Sequence, residues 1–164
     1  MLLRPDLVTT ESLEGVCPVL EPRTNVPVEI LLVEDTDDHA KLMIDALEEG
    51  RLNTHITCVD NGEEALDYLQ HKGKHADAVR PQLILLDLLL PRMNGHEVLA
   101  VVKDDAALRR IPIVIMTASE DEDEFRKAYN LHANCCVPKP KDQEEFKLAV
   151  KKIEQFWLKN LDRR

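Results

Sequence analysis

Leu83-Ile84-Leu85-Leu86-Asp87 is the stretch whose reading decides the fold. A strand with one wet face alternates apolar and polar residues. An unbroken apolar run that stops at a charge suits a strand covered on both faces, as in a parallel sheet with helices on either side. Ile113-Val114-Ile115-Met116 repeats the pattern and stops at Thr117, and Val28-Glu29-Ile30-Leu31-Leu32-Val33 runs into Glu34-Asp35. Two weaker runs, near 56–59 and at Cys135-Cys136-Val137, bring the strand candidates to five.

Between these runs the apolar residues recur at helical spacing. The first such segment covers about 37–49, with Ala40, Met43, Ile44 and Leu47 on one face. Others cover about 63–70, 96–103, 121–130 and 143–158. Strands alternating with helices imply parallel pairing. Pro138 closes the fifth run, and proline lacks the N–H that a central ladder needs, so this strand belongs at an edge. The order 2-1-3-4-5 places it there and keeps strands one, three and four central. The expected fold is α/β: a five-stranded, parallel, doubly wound sheet with five helices. Residues 1–27 hold Pro5, Pro18, Pro22 and Pro27 without a sustained period and read as an extended or mobile arm. A short strand over 16–20 is suggested there without support. The expected division is arm 1–27, domain 28–161 and tail 162–164.

Composition narrows the function classes. The 164 residues carry a formal net charge of -10, with basic residues scattered apart from pairs such as Lys151-Lys152 and Arg163-Arg164. That opposes nucleic-acid binding, which needs clustered Lys and Arg. No apolar stretch approaches a membrane span, and the start lacks the apolar core of a signal peptide, so the cytoplasm is expected. Cys17, Cys58, Cys135 and Cys136 lack the spacing of a zinc site or a disulfide framework. As strand neighbours, Cys135 and Cys136 should point to opposite faces.

Ligands of open α/β sheets bind beyond the carboxyl ends of the strands. Those ends carry Glu34-Asp35, Asp87, Thr117 and Lys139. Unit charges about 4 Å apart interact by several kcal/mol at intermediate dielectric, so three carboxylates at one rim need a proton or a cation between them. Mg²⁺ suits such oxygen ligands. With Lys139 as a point charge and Thr117 as a hydroxyl donor, the set describes a phosphoryl-transfer site in which Asp87 is the acceptor. Singly, an Asp or Thr at a strand end is more often a helix cap and a Lys plain surface. Four matching strand ends in chain order favour the functional reading.

The segments "LLVEDTDDH", "LILLDLLLPRMNG", "IPIVIMTAS" and "PKP" resemble the signatures of the two-component receiver family, whose fold is flavodoxin-like. The resemblance covers about 28–158. It implies that Asp87 is the phosphoacceptor and that Glu34 and Asp35 are the acidic metal pair. The Leu89 backbone carbonyl would complete the Mg²⁺ ligands, and Thr117 and Lys139 would hold phosphoryl oxygens. It also implies a cis Lys139-Pro140 bond. "AYNLHANCCVPKP", "IEQFWL" and the loop "HKGKHADAVRP" are similar to the short regulators paired with phytochrome-type photoreceptor histidine kinases.

Two departures stand out. Cys136 occupies a position where receivers usually carry Tyr or Phe, so a switch is expected to rest on Thr117 and the following loop. Asn94 replaces a more usual Asp and suits a turn with Gly95. Leu89 and Ser119 lie two residues after Asp87 and Thr117, where the family controls water access, and Leu89 is expected to slow hydrolysis. Because no effector domain follows, output is expected through protein contact. The stripe Phe146, Ala149, Val150, Ile153, Phe156 and Trp157, extended by Leu158 and Leu161, reads equally as core or as a homodimer seam. The expected role is signalling, with at most weak self-phosphorylation and self-dephosphorylation. The alternatives are a Mg-dependent aspartyl-phosphate phosphohydrolase, opposed by Leu89 where that class carries a second acid, and a degenerate scaffold that is never phosphorylated.

Overall fold

The computed structural model describes residues 26–117 and 122–162. The expectations for the arm up to residue 25, for Ser119 and for the last two residues lie outside these. So do those for the side chains of Leu158 and Leu161.

Five strands and five α-helices alternate among the described residues: β1 Val28–Val33, α1 Asp37–Glu48, β2 Thr54–Val59, α2 Gly62–Leu69, β3 Leu83–Asp87, α3 Gly95–Asp104, β4 Ile113–Thr117, α4 Glu122–Asn130, β5 Cys135–Pro138 and α5 Gln143–Asp162. A short 3-10 turn at Gly73–His75 lies between α2 and β3. All pairings are parallel, in the order β2-β1-β3-β4-β5. The expected fold is the observed one.

The side-chain alternation of a strand divides the core into two layers. Leu31, Val33, Ile84, Leu86, Ile113 and Ile115 face one way and pack with Leu66, Leu69, Leu99 and Val102 of α2 and α3. Ile30, Leu32, Leu83, Leu85, Val114 and Met116 face the other way and meet Met43 and Leu47 of α1 and Phe146, Ile153 and Trp157 of α5. Every residue of β3 and β4 is buried, which is why both read as unbroken apolar runs. Cys135 packs in the second layer and Cys136 against the first, the opposite facing expected of strand neighbours.

Some expectations are corrected. In the α5 stripe, Phe146, Ala149, Val150, Ile153 and Trp157 are buried and Phe156 is half-buried in the same layer, so of the two readings of these residues the core one holds. The helix also continues past 158 to Asp162. No peptide among the described residues is cis, so Lys139-Pro140 is trans. The isomers of an X–Pro bond differ by only about 0.5–1 kcal/mol, too little for sequence to decide. Asn94 is a helix cap: its side chain accepts from Glu97 N at 3.0 Å, while Glu97 accepts from Asn94 N at 3.1 Å.

Candidate functional site

The register of the sheet sets the site. Val33 pairs with Leu86, Asp87 with Met116, and Thr117 with Pro138, so β1, β3, β4 and β5 end together. Glu34, Asp35, Asp87, Thr117 and Lys139 follow from those ends. Glu34, Asp35 and Asp87 each offer a carboxylate oxygen within 4.8 Å of the others. Glu34 and Asp87 are buried, whereas Asp35 is exposed at the rim.

Lys139 lies among the acids as their cation. Its ammonium is 2.7 Å from Glu34 Oε1, 2.8 Å from Glu34 Oε2 and 2.8 Å from Asp87 Oδ2. The three side chains are 5–7% exposed. The sequence assigned this lysine to an incoming anion; the structure shows that it already neutralises the acids. Burial raises the Glu34 carboxyl above its ordinary range, and the Asp87 charge adds to this. The Lys139 hydrogen bond and charge and the Thr36 N–H oppose it without prevailing. Burial alone would lower the Lys139 ammonium, but its bonds to Asp87 and Glu34 and their charges outweigh that and hold it high. Both remedies for carboxylate crowding, a cation and a displaced proton equilibrium, are therefore in use.

The loop after β3 fixes Asp87. Leu89 N donates to Asp87 Oδ1 at 3.1 Å, and Gly95 N donates to Leu88 O at 3.0 Å. A Cβ on Gly95 would collide with the Asp87 carbonyl oxygen, so α3 can begin this close to the acid only with glycine there. Gly62, at the start of α2, is held as tightly against the Met93 carbonyl. Thr117 is 1% exposed, and its carbonyl accepts from Lys139 N at 2.8 Å. Leu89 is 59% exposed.

Two residues of this region were not anticipated. Thr36 N donates to Glu34 Oε2 at 3.1 Å, a backbone contact with no side-chain signature. Tyr129 of α4 lies near Cys136: burial and the neighbouring Cys136 and Cys135 thiols raise its hydroxyl above the ordinary range.

The model of the response regulator receiver domain matches residues 30–151. The chain belongs to this family. Response regulator Rcp1 of Synechocystis sp. (strain ATCC 27184 / PCC 6803 / Kazusa) is 37% identical to this receiver over 142 residues, 87% of this chain and 97% of that protein. The probable methanogenesis regulatory protein FilR2 of Methanothrix harundinacea (strain 6Ac) is 41% identical over 133 residues, covering 80% and 84%. Among solved structures, the phosphorylated cyanobacterial phytochrome response regulator RcpA superposes with a TM-score of 0.77 at 41% identity, covering 81% of this receiver and 95% of RcpA. The Mn(2+)-bound form of Rcp1 gives 0.75 at 39%, covering 80% and 95%. The receiver is thus related to phytochrome-associated regulators, and no helix among its described residues is long and apolar enough to cross a membrane.

Proposed function

We propose that this receiver, spanning 28–161, takes a phosphoryl group from a histidine kinase onto Asp87 and signals through protein contact. One observation carries this reading. The Asp87 carboxylate is buried at the sheet rim, fixed by the Leu89 N–H on one oxygen and by Lys139 on the other, within reach of two further acids. The acidic trio fits a hard divalent cation, because its oxygens lie within 4.8 Å of one another and exposed Asp35 leaves the cluster open to water. Glu34, Asp35, Asp87 and the Leu89 carbonyl would hold Mg²⁺, which when bound supplies charge neutralisation for phosphoryl oxygens.

The remaining chemistry belongs to the chain. An Asp87 oxygen attacks phosphorus, the P–N bond to the kinase imidazole breaks, and the departing nitrogen is protonated by water. Lys139 turns from Asp87 Oδ2 to a phosphoryl oxygen, and Thr117 supplies a hydroxyl to another. Leu89, exposed beside the acceptor, slows the approach of water to the acyl phosphate. No carboxylate stands at position 89 to act as the second acid of a phosphohydrolase, which favours a phosphoacceptor over an enzyme.

RcpA is a phytochrome regulator by name, which supports a phytochrome-type kinase as donor. FilR2, equally identical to this chain, is named for methanogenesis and supports a different input. Output falls to exposed apolar residues of α4 and α5, Tyr129 at 55% and Leu148 at 58%, as the surface for a target or a second copy.

Incubation with Mg²⁺ and acetyl phosphate, followed by intact-mass measurement, tests the reading. A single phosphoryl adduct, lost in Asp87→Asn, is the expected result. Multiple-turnover hydrolysis would instead indicate a phosphohydrolase, and no adduct a scaffold. Transfer from a phytochrome-type kinase, compared with an unrelated kinase, tests the donor.

A further inference from the structure

Between α1, the sheet and α5, the core contains a void of about 10 Å³ lined by eleven residues, of which Glu34, His39, Asp87 and Lys139 are polar or charged and Phe146 is aromatic. His39 belongs to α1, one turn beyond the rim, and its ring lies 6.2 Å from that of Phe146. Its Nδ1 is shielded from solvent and has no hydrogen-bond partner, a condition shared among the described residues only by the Thr54 hydroxyl. Buried polar atoms are almost always paired, because desolvation without a partner is costly. The void is about the smallest that admits one water, and it offers that water several polar neighbours. The rest of the lining, such as Met43 and Met116, has no strong donor or acceptor in its side chains.

We propose that His39 is a positioning residue for Lys139: one internal water in this void links His39 Nδ1 to the ammonium that meets the phosphoryl group. In this arrangement the ammonium donates to the water and the water donates to His39 Nδ1, so the imidazole is neutral with its proton on Nε2. Lys139 has three donors. Its Glu34 contact spans both oxygens of a single carboxylate, and sharing one donor across them leaves one for the water. The link ties the lysine to α1 while it changes partners from Asp87 to a phosphoryl oxygen. The inference rests on the receiver reading of the same site.

Three readouts test it. In a crystal structure at high resolution, a water within hydrogen-bond distance of His39 Nδ1 and Lys139 Nζ is expected; an empty void overturns the proposal. In imidazole-labelled wild-type protein, the ¹⁵N resonance of His39 Nδ1 should be that of an unprotonated acceptor and should move when beryllofluoride and Mg²⁺ are added, because Lys139 then changes partners. A resonance that stays fixed while beryllofluoride binds overturns it. His39→Phe should lower the rate of phosphoryl uptake from acetyl phosphate by about tenfold, the scale of one charge-assisted hydrogen bond lost at the transition state. His39→Asn, whose amide oxygen can accept in place of Nδ1, should recover most of that rate. Equal rates for wild type and His39→Phe overturn the proposal, and if His39→Phe does not fold, the wild-type crystal and ¹⁵N readouts decide. Wild-type protein that takes up no phosphoryl group fails the receiver reading instead, and the water in the void still decides the role of His39.

Discussion

The thiol of Cys58 registers the charge of the acidic rim. Burial, then the carboxylates of Glu34, Asp60, Asp37 and Glu64, push it up to about 11. At pH 8 only about one such thiol in a thousand is the reactive thiolate, against about a quarter of free cysteine. Although the Cys58 side chain still reaches solvent beside the groups that partly bury its sulfur, iodoacetamide should therefore modify it about two orders of magnitude more slowly than free cysteine at that pH. The rate should climb about tenfold per pH unit toward the shifted value, and a rate already flat above pH 8 would contradict this. Two histidines show a different residue-scale effect. His71 and His132 stand at φ 59° and 69°, the left-handed region that costs a residue with a Cβ about 1–2 kcal/mol. Each ends a helix with paired bonds: Lys72 N to Asp67 O and His71 N to Tyr68 O after α2, Ala133 N to Ala128 O and His132 N to Tyr129 O after α4. His132→Gly should raise the unfolding free energy by about 1 kcal/mol, read as a higher urea midpoint with an unchanged slope. An unchanged midpoint would show that other contacts of the imidazole offset the strain.

At the scale of elements, the start of α3 links helix capping to Asp87. Asn94 and Glu97 satisfy two of the amide groups that a helix N-terminus leaves open, and Gly95 lets that terminus approach Asp87. Asn94→Ala should cost about 1 kcal/mol of stability, while Asn94→Asp should be nearly neutral because aspartate caps equally well. A comparable loss in both variants, measured by chemical denaturation, would mean that the amide nitrogen matters and the cap does not. What the sequence disclosed follows the same physics. β3 and β4 were legible because burial on both faces leaves no polar residue to blur the run. β2 was read only from about 56 because an edge strand tolerates Thr54 and His55, and these hid its first residues. The α5 period was plain, but periodicity does not say what a stripe packs against, and the structure gives that face to the core. The rim residues were visible as strand ends. The Lys139 pairing with Glu34 and Asp87 was not, because a contact across 105 and 52 residues of chain leaves no local mark.

For the whole molecule the decisive quantity is charge. A chain of net charge -10 places three carboxylates within 4.8 Å of one another and gives two of them a single lysine. Bringing Asp35 into that rim opposes folding, since the unfolded chain holds the same groups far apart in water. A divalent ion that binds only the folded rim stabilises it by mass action, about 2.7 kcal/mol at a hundredfold excess over its dissociation constant. For a domain of this size that corresponds to a rise of roughly 5–10 °C in Tm. Adding Mg²⁺ should therefore raise Tm along a saturating curve, and a chelator should reverse the gain. Asp35→Asn removes a carboxylate that is exposed and outside the lysine's ion pairs, so it should keep or slightly raise the basal Tm, as rim repulsion is relieved, and lose most of the response. Sodium chloride at matched ionic strength separates the two possible origins of the effect. Screening acts on every surface charge, so it gives a gradual change without saturation and affects wild type and Asp35→Asn alike. If sodium chloride reproduces the full Mg²⁺ gain, the rim is an acidic patch held together by Lys139 alone, and the phosphorylation proposed for Asp87 loses its metal partner.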